Sequence, residues 1–235
     1  MDKNNVWFIT AKTNLHVGNE NTTSYGLIDL AVQRNATTGL PCINSSSLKG
    51  ALNEFASQFK DLNRLEIFGS DKKDKSKGSK KGNYTFFDAN ILFLPIQTDD
   101  ARLYELVTCD AVLKRFFNQV KLITGVEITE KDLQNFKYSK QLNGEDITEG
   151  KFKELCSDDN LPIIARNVLD NGESKNLWYE QVVPAETVFY TLIDDKGDGT
   201  LANMIGTEKS LVQIGADATI GYGYCEFKNL KLRNL

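Results

Sequence analysis

The sequence predicts an α+β fold. Segments of alternating polarity, such as residues 6–16 (VWFITAKTNLH), are interspersed with helix-periodic segments, of which residues 48–59 are the clearest. The elements run strand, helix, strands, helix, hairpin, strand, helix and strand, so helices connect strands that are not sequence neighbours. This order favours a ferredoxin-like arrangement over a doubly wound sheet. At 235 residues, one unit spanning 1–235 is expected.

The first half of the chain supplies the clearest elements. Residues 6–16 predict a central strand with one buried face, and residues 25–34 predict a second short extended piece that ends in a turn at 35–41. From residue 45 the period becomes helical, and we expect one of Ser45, Ser46 or Ser47 to be the N-cap. The apolar stripe of this helix is Leu48, Ala51, Leu52, Phe55, Ala56 and Phe59.

Weaker patterns complete the second half. We expect a strand at 86–96, a helix at about 111–123 with Asp110 as its N-cap, and short helices within 125–160. The tetrapeptide Asp170–Glu173 (DNGE) predicts a hairpin turn, because Asn and Gly tolerate the positive φ of tight turns. The last predicted elements are a strand at 186–193, a helix near 201–210 and a final strand.

Composition limits the class of protein. No apolar run approaches the roughly 18 to 20 residues that span a bilayer, and residues 1–5 lack the apolar segment of a signal peptide. We therefore expect a cytoplasmic protein without membrane contact. The cysteines lie far apart without a C-x-x-C pair, which disfavours a zinc site and predicts buried thiols. They are Cys42, Cys109, Cys156 and Cys225.

Charge is unevenly distributed along the chain. The net charge of −4 argues at first sight against nucleic acid, whose binding depends largely on Lys and Arg contacts to phosphate. Residues 71–82, however, carry six lysines and two aspartates, a local +4 that leaves −8 on the rest. The stretch 71–83 is polar and broken by glycine, so we expect a mobile lysine-rich loop. Such segregation can place a basic surface on an acidic body.

Three features could carry chemistry. Asp29 interrupts the apolar run 27–30, so its carboxylate should face solvent, pair with Arg34 or Lys49, or hold a metal, and the sequence leaves these open. The serine-rich helix start could attract phosphate to its free N–H groups. The glycine loop 215–223 could also cradle phosphate, although it matches no nucleotide motif and could equally be a tight connection.

His16 is the only histidine, which excludes a His-ligated metal cluster and any mechanism with two histidines. Alone it could act as a general base near an RNA 2'-hydroxyl, but a hydrogen-bonded structural role is commoner for a histidine at a strand end. Residues 194–200 (DDKGDGT) partly resemble a calcium loop. We reject that interpretation because Lys196 and Ile205 occupy two of the ligand positions.

A long ordered series of segments resembles a known family. The segments LHVG, IDLAVQRNATTGLPCINSSSLKGAL, IFGS, FFDANILFLPI, VTCDAVLKRF, LPIIARNVL, LWYEQVVPAETVFYTLI and VQIGADATIGYGYCEF run from about Leu15 to Phe227. They resemble the backbone subunit of type III-B CRISPR effector complexes, within the RAMP superfamily. The type III-A backbone subunit shares the aspartate and the TGLP…SSLKG pattern, but VQR, VTC and LWYEQVVPAETVFY favour type III-B.

The resemblance implies an RNA-recognition-like (RRM-like) palm, with a β-hairpin thumb inserted at about residues 161–184. In the family this thumb wedges between guide and target and flips a nucleotide out at each interval. It also implies copies that stack along a guide RNA (crRNA) with other effector subunits, and cleavage of bound single-stranded target RNA at regular intervals. In the family, the aspartate that corresponds to Asp29 is required for cleavage. We expect Asp29 to act with Mg²⁺ or Mn²⁺ and the target 2'-hydroxyl as nucleophile. The predicted RNA contacts are His16, Arg34, Ser46, Ser47, Lys49, Arg166, Asn167, Gly221 and Gly223.

Three other functions compete with this one. The chain could be a structural guide-binding subunit without chemistry. It could instead be a guide-processing endoribonuclease that needs His16 and no metal. A small-molecule enzyme built on the glycine loop is the weakest alternative, because no second catalytic residue accompanies that loop.

Overall fold

The elements follow the chain in an alternating order in the computed structural model. The described residues are 5–18, 28–70, 80–98, 102–171, 173–206 and 210–230. The strands are β1 (Val6–Ala11), β2 (Cys42–Ile43), β3 (Thr85–Phe86), β4 (Ala89–Ile96), β5 (Glu105–Val107), β6 (Tyr138–Ser139), β7 (Gln141–Leu142), β8 (Glu145–Asp146), β9 (Ile163–Asp170), β10 (Glu173–Gln181), β11 (Val188–Asp194), β12 (Leu211–Gln213) and β13 (Tyr224–Asn229). The helices are α1 (Ser45–Phe55), α2 (Arg64–Phe68), α3 (Asp110–Thr124), α4 (Glu149–Leu155) and α5 (Thr200–Ile205), with 3₁₀ turns at Ala56–Gln58, Glu130–Leu133 and Ala218–Ile220.

Four antiparallel strands form the centre of the main sheet, in the order β13–β1–β11–β4. Along the chain, α1 lies between β1 and β4, and α5 lies between β11 and β13. The βαββαβ order with this strand arrangement is the ferredoxin-like one. The predicted α+β class is therefore confirmed. The sheet continues beyond β4 through β5 and β6, and beyond β13 to β12.

Both faces of the central strand are covered, so the prediction of a single buried face is wrong. Phe8 lies on the face opposite Trp7, yet only 3% of it is exposed. Its ring packs against Phe116 of α3 and against Phe136, with centroid distances of 5.9 and 4.9 Å. The segment after β4 thus covers the second face, where a minimal four-stranded RNA-binding sheet would be open.

The apolar core runs continuously through the sheet and its helices. On α1 the stripe residues Leu48 and Leu52 are fully buried, whereas Phe59 lies beyond the helix and is 39% exposed. All four cysteines are free and buried, as predicted. Burial raises the pKa of the Cys42 thiol to about 11 and that of Cys156 to about 12.

Helix starts differ from the predictions because residues distant in sequence determine them. The N-cap of α1 is Asn44, not a serine, and the Ser45 N–H donates to the Asp88 carboxylate at 2.7 Å. A carboxylate from the start of β4 thus occupies the helix end. Helix α3 begins at Asp110 itself, with Cys109 as its N-cap.

Residues 28–34, the described part of the extended piece predicted at 25–34, do not form a continuous strand. Three isolated bridges hold them instead: Leu30 with Glu180, Val32 with Gly18, and Arg34 with Pro41. Each bridge uses a different neighbour, so the segment threads between elements. Residues 25–27 lie outside the described part of the chain.

Strands β9 and β10 form a separate two-stranded sheet, within the range predicted for the thumb. Asp170 pairs with Glu173, so a two-residue connection joins the strands, and Asn171 in it has φ of 52°. Gly172 lies outside the described residues. The hairpin carries exposed apolar side chains, namely Ile163, Val168, Leu177 and Tyr179. Its role as a thumb stays a prediction.

Two glycines close the base of the predicted lysine-rich loop. Gly69 bridges Lys81, and a Cβ on Gly82 would lie 2.4 Å from the Ile67 carbonyl oxygen, so the two chain segments cross closely here. Residues 71–79, the body of the loop predicted at 71–83, lie outside the described residues. Over the described residues, no helix has the length and apolar character needed to cross a membrane.

Candidate nucleic-acid interface

Asp29 lies at the base of the hairpin, held by one residue of β10. Its backbone N–H and that of Leu30 both donate to the Tyr179 carbonyl, at 3.0 and 3.2 Å, and the Tyr179 N–H donates to Asp29 Oδ2 at 2.7 Å. The residue is exposed. Of the three predicted outcomes, solvent exposure is observed, and the partner is a backbone amide rather than Arg34 or Lys49. One carboxylate oxygen of this exposed residue is thus fixed by the hairpin strand.

The Arg34 guanidinium group is engaged within the protein. It donates to Asp158 Oδ1 from Nε and Nη2, at 3.2 and 2.7 Å, and from Nη1 to the carbonyls of Gly39 and Cys156. These contacts tie the segment after Asp29 to the end of α4. A contact of Arg34 with RNA stays a prediction, and it would have to share donors that already have partners.

His16 is buried between the hairpin and the end of β1. Only 3% of it is exposed, its Nδ1 lies 2.7 Å from the Gln181 carbonyl oxygen, and its carbonyl accepts from the Ala216 N–H at 2.9 Å. This is the hydrogen-bonded structural environment weighed above. The buried ring argues against the predicted direct contact of His16 with RNA and against a role as general base.

Arg166 joins the hairpin to the glycine loop. Its Nε donates to Glu180 at 3.2 Å, its Nη2 donates to Asp217 at 3.1 Å, and its guanidinium carbon lies 4.7 Å from the centre of the Tyr222 ring. The predicted contact of Arg166 with RNA therefore competes with a set of internal contacts. Its neighbour Asn167 is exposed on the opposite face of β9.

Glu180 is a buried carboxyl that the sequence did not single out. Its side chain is 3% exposed, and Oε1 has no hydrogen-bond partner among the described residues, although His16 Nδ1 is 3.6 Å away. Burial, and then the hydrogen bond with Asp217, raise the pKa of Glu180, while His16 and Arg166 oppose that rise. Glu180 and Arg166 are 14 residues apart in the sequence. No motif marks them, because only the fold brings the two side chains together.

The start of α1 differs from the phosphate site predicted from the serines. The Asp88 carboxylate accepts a hydrogen bond from the Ser45 N–H, so a negative charge already lies at the positive end of the helix dipole. The Ser47 hydroxyl accepts from Gln33 at 3.2 Å. Ser46 is exposed and Lys49 is half-buried, so these two side chains remain available for the predicted RNA contacts.

Gly221 and Gly223 have different surroundings. Both have positive φ, 83° and 77°. A Cβ on Gly223 would lie 2.0 Å from the Ile214 carbonyl oxygen, whereas nothing lies within 4 Å of one on Gly221. The fold alone therefore demands glycine at 223. The open space at Gly221 permits the close backbone approach predicted for RNA.

One open cleft brings together the two predicted phosphate-binding elements. Its volume is about 880 Å³. Ser47 and Gly50 of α1 line one side, Gly215 and Ala216 line another, and Gln33 lies between them. The cleft therefore connects the serine-rich helix start, the glycine loop and the segment that carries Asp29.

The donor set at Asp29 fits a divalent cation only in part. Among the described residues, no group of three or more His, Cys, Asp or Glu side chains is arranged to hold a metal ion. Mg²⁺, however, usually keeps several waters and binds through one or two carboxylates plus substrate phosphates. An exposed carboxylate with one oxygen held by a backbone amide is compatible with that mode.

Comparisons with known proteins agree with this architecture. The family model described as RAMP superfamily matches residues 8–226. The CRISPR system Cmr endoribonuclease Cmr4 of Pyrococcus furiosus is 25% identical, over 86% of this chain and 88% of that protein. The predicted resemblance to type III-B backbone subunits is thereby confirmed.

Solved structures share the fold. A chain in the cryo-EM structure of the type III-B Cmr-beta complex bound to cognate target RNA superposes with a TM-score of 0.71, at 22% identity and 96% coverage of both chains. Oligomeric Cmr4 from Pyrococcus furiosus superposes with a TM-score of 0.66, at 22% identity, over 95% of this chain and 96% of that one.

Proposed function

Because this chain belongs to the RAMP superfamily, we propose that it is a guide-binding backbone subunit of a type III-B effector that cleaves bound target RNA at regular intervals. The name of the Pyrococcus furiosus relative, an endoribonuclease, supports the activity. The descriptions of the structural relatives, one bound to target RNA and one oligomeric, support RNA and further copies of the chain as partners. The proposal includes crRNA, other effector subunits and a cytoplasmic location.

The observation that carries the proposal is the setting of Asp29. Its carboxylate is exposed, and the Tyr179 N–H fixes one of its oxygens at 2.7 Å where the hairpin leaves the palm. If the hairpin displaces a target nucleotide, as the family resemblance implies, the distorted phosphodiester would lie close to this carboxylate. A fixed and solvent-facing carboxylate at that position is suited to proton transfer or cation binding.

The chemistry would be an internal transfer. The 2'-hydroxyl of the displaced target nucleotide attacks the adjacent phosphorus, and its proton passes to Asp29 or to water. The bond to the 5'-oxygen of the next nucleotide breaks, and that oxygen takes a proton from water. The products are a 2',3'-cyclic phosphate and a 5'-hydroxyl. A bound Mg²⁺ or Mn²⁺ would supply charge neutralisation at the phosphate. The protein contributes the position of the carboxylate and of the distorted nucleotide.

Guide binding would use the cleft between α1 and the glycine loop. Ser46 and Lys49 on α1 offer a hydroxyl and a cation, and Gly221 in the glycine loop offers open backbone. These groups are separate from Asp29, so holding the guide and cutting the target should be separable by mutation.

Asp29→Ala tests the assignment. In the assembled complex with its guide, we expect target cleavage to fall at least about 100-fold, because a positioned acid or base typically contributes that much. Guide and target binding should stay within about twofold, because Asp29 does not line the cleft. Asp61→Ala, at another exposed aspartate, is the control and should cut normally. Unchanged periodic cleavage by Asp29→Ala would disprove the assignment.

Metal removal separates the proposal from its alternatives. We expect EDTA to stop cleavage and Mg²⁺ or Mn²⁺ to restore it, while binding of the target persists. Cleavage that continues in EDTA and disappears in His16→Ala would instead identify a metal-independent guide-processing nuclease. A wild-type complex that binds target but never cuts it would identify a structural subunit.

A further inference from the structure

We propose that Gln181 is a positioning residue for the Asp29 carboxylate, and that both ends of its side-chain amide are needed for this role. The inference rests on the proposed function of Asp29. Gln181 is the last residue of β10 and is completely buried. It is not among the predicted RNA contacts, and its burial gives it no access to RNA.

Gln181 holds the segment that follows Asp29 at two points. Its backbone N–H donates to the Leu30 carbonyl at 2.9 Å, and its Oε1 accepts from the Val32 N–H at 3.2 Å. Tyr179, two residues earlier on the same strand, binds Asp29 directly. Strand β10 therefore fixes three successive points of the Asp29 segment, and Gln181 supplies the two that lie beyond the carboxylate.

The other end of the amide reaches a different part of the chain. Nε2 donates to Asp158 Oδ1 at 3.1 Å, and Asp158 also accepts from Arg34. An amide can accept from a backbone N–H at one end while it donates to a carboxylate at the other, which an ionised carboxylate cannot do. A glutamate at this position would satisfy Val32 but would set its charge against Asp158. A leucine would satisfy neither partner.

The consequence for catalysis is geometric. A shift of about 1 Å in a reacting group can cost about 100-fold in rate, even when the altered residue is remote from the chemistry. Loss of the Gln181 bridge releases Val32 and Asp158 together, which lets the Asp29 segment move relative to the hairpin. The guide cleft is not lined by Gln181, so guide binding should be spared.

The pH dependence of a glutamate at this position follows from its neighbours. Asp158, with Arg34 paired to it, faces the side chain, and His16 contacts the Gln181 carbonyl. Glu180, paired with Arg166, is the preceding residue. Burial and Asp158 would raise the pKa of the introduced carboxyl group. Once protonated, that group can again donate to Asp158, so function should return as pH falls.

Gln181→Glu is the test, assayed as target cleavage by the assembled complex. We expect cleavage about 10- to 100-fold below wild type at about pH 8, with guide and target binding within about twofold. The ratio of variant to wild-type rate should rise as pH is lowered to about 6, because the introduced carboxyl group then becomes protonated. Gln141→Glu is the matched control, because Gln141 Nε2 also donates to an aspartate, Asp146 Oδ1 at 2.9 Å, in the β7–β8 hairpin.

Two further variants keep the proposal falsifiable if Gln181→Glu folds poorly. The double variant Gln181→Glu with Asp158→Asn exchanges the amide and the carboxylate. The amide at position 158 can then donate to the carboxylate at position 181, so the variant should recover most of the activity. Asp158→Ala removes the outer acceptor at an exposed position and should slow cleavage about 10-fold without loss of guide binding.

The outcomes are distinct. Wild-type rates at every pH for Gln181→Glu and for Asp158→Ala would overturn the positioning role. Parallel loss of guide binding and cleavage without recovery in the exchange variant would also overturn it, because that pattern describes a structural residue. Cleavage by Asp29→Ala would refute the proposed function itself, whatever the Gln181 variants do.

Discussion

At the scale of single residues, two glycines of one loop differ in whether the fold itself requires glycine. Gly221 and Gly223 share a positive φ, but only at Gly223 would a Cβ meet the backbone, 2.0 Å from the Ile214 carbonyl oxygen. Sequence reasoning assigned both glycines to RNA. The packing of the fold alone explains glycine at position 223. At Gly221 the space around the backbone is open, so the packing does not explain that glycine.

The pair of alanine variants therefore should differ in stability. We expect Gly221→Ala to lower the free energy of unfolding by about 1 kcal/mol, the typical cost of positive φ at a residue other than glycine. Gly223→Ala should cost at least about 3 kcal/mol, because the backbone must also move to relieve the contact. Denaturant unfolding measures both. Equal losses would show that the contact at Gly223 is relieved without cost.

At the scale of elements, the hairpin carries apolar side chains that remain exposed in the folded protein. The period of a strand puts Leu177 and Tyr179 on one face of β10, and they are 52% and 40% exposed. The backbone of Tyr179 binds Asp29 and Leu30, and the Leu30 side chain is 39% exposed. Exposed apolar side chains next to a carboxylate suit contact with unstacked bases.

Leu177→Ser tests that use of the hairpin. Unstacking a base costs a few kcal/mol, so we expect loss of the apolar contact to slow target cleavage about 10-fold. Stability and guide binding should stay near wild type, since the side chain is exposed. Leu122→Ser on α3, at an 85% exposed leucine, is the control and should be neutral in all assays. Equal cleavage by the two variants would argue against contact between this face and the target.

The elements also show what could be predicted from the sequence. Helices α1 and α3 and the strands β4 and β11 lie close to their predicted positions, because local periodicity defines them. The predicted N-cap of α1 was wrong because Asp88, 43 residues away, binds the Ser45 N–H. The prediction of the site from the sequence was incomplete for the same reason, namely contacts between residues distant in sequence. Asp29 could be identified from the family resemblance, but its partner Tyr179 and the bridging Gln181 are about 150 residues distant.

At the scale of the whole molecule, one buried ionic group joins the hairpin, the end of β1 and the glycine loop. Arg166 bridges Glu180 and Asp217, and His16 lies beside Glu180. Removing one partner of a buried pair leaves the other charge uncompensated. The Arg166 contacts with Glu180 and Asp217 therefore contribute to holding the hairpin against the glycine loop.

Arg166→Met should be destabilising in a pH-dependent way. The pKa of Glu180 is already raised in the folded protein, and without Arg166 it should rise further, so folding favours the protonated carboxyl. We expect a loss of about 3 kcal/mol at about pH 8 that shrinks as pH falls toward about 5. Melting temperatures relative to wild type at each pH measure it. Lys153→Met, which breaks the exposed pair with Glu149, should have little effect, and a pH-independent loss in Arg166→Met would contradict the account.

The central claim is that cleavage requires the charged Asp29 carboxylate, whereas other residues hold the complex together. Single-turnover cleavage by the Asp29→Asn variant tests this claim most directly. The amide keeps an acceptor for the Tyr179 N–H, so the loop and the assembled complex should be preserved. We predict that periodic cleavage falls at least about 100-fold while guide and target remain bound. Cleavage at the wild-type rate and spacing by this variant would contradict the account.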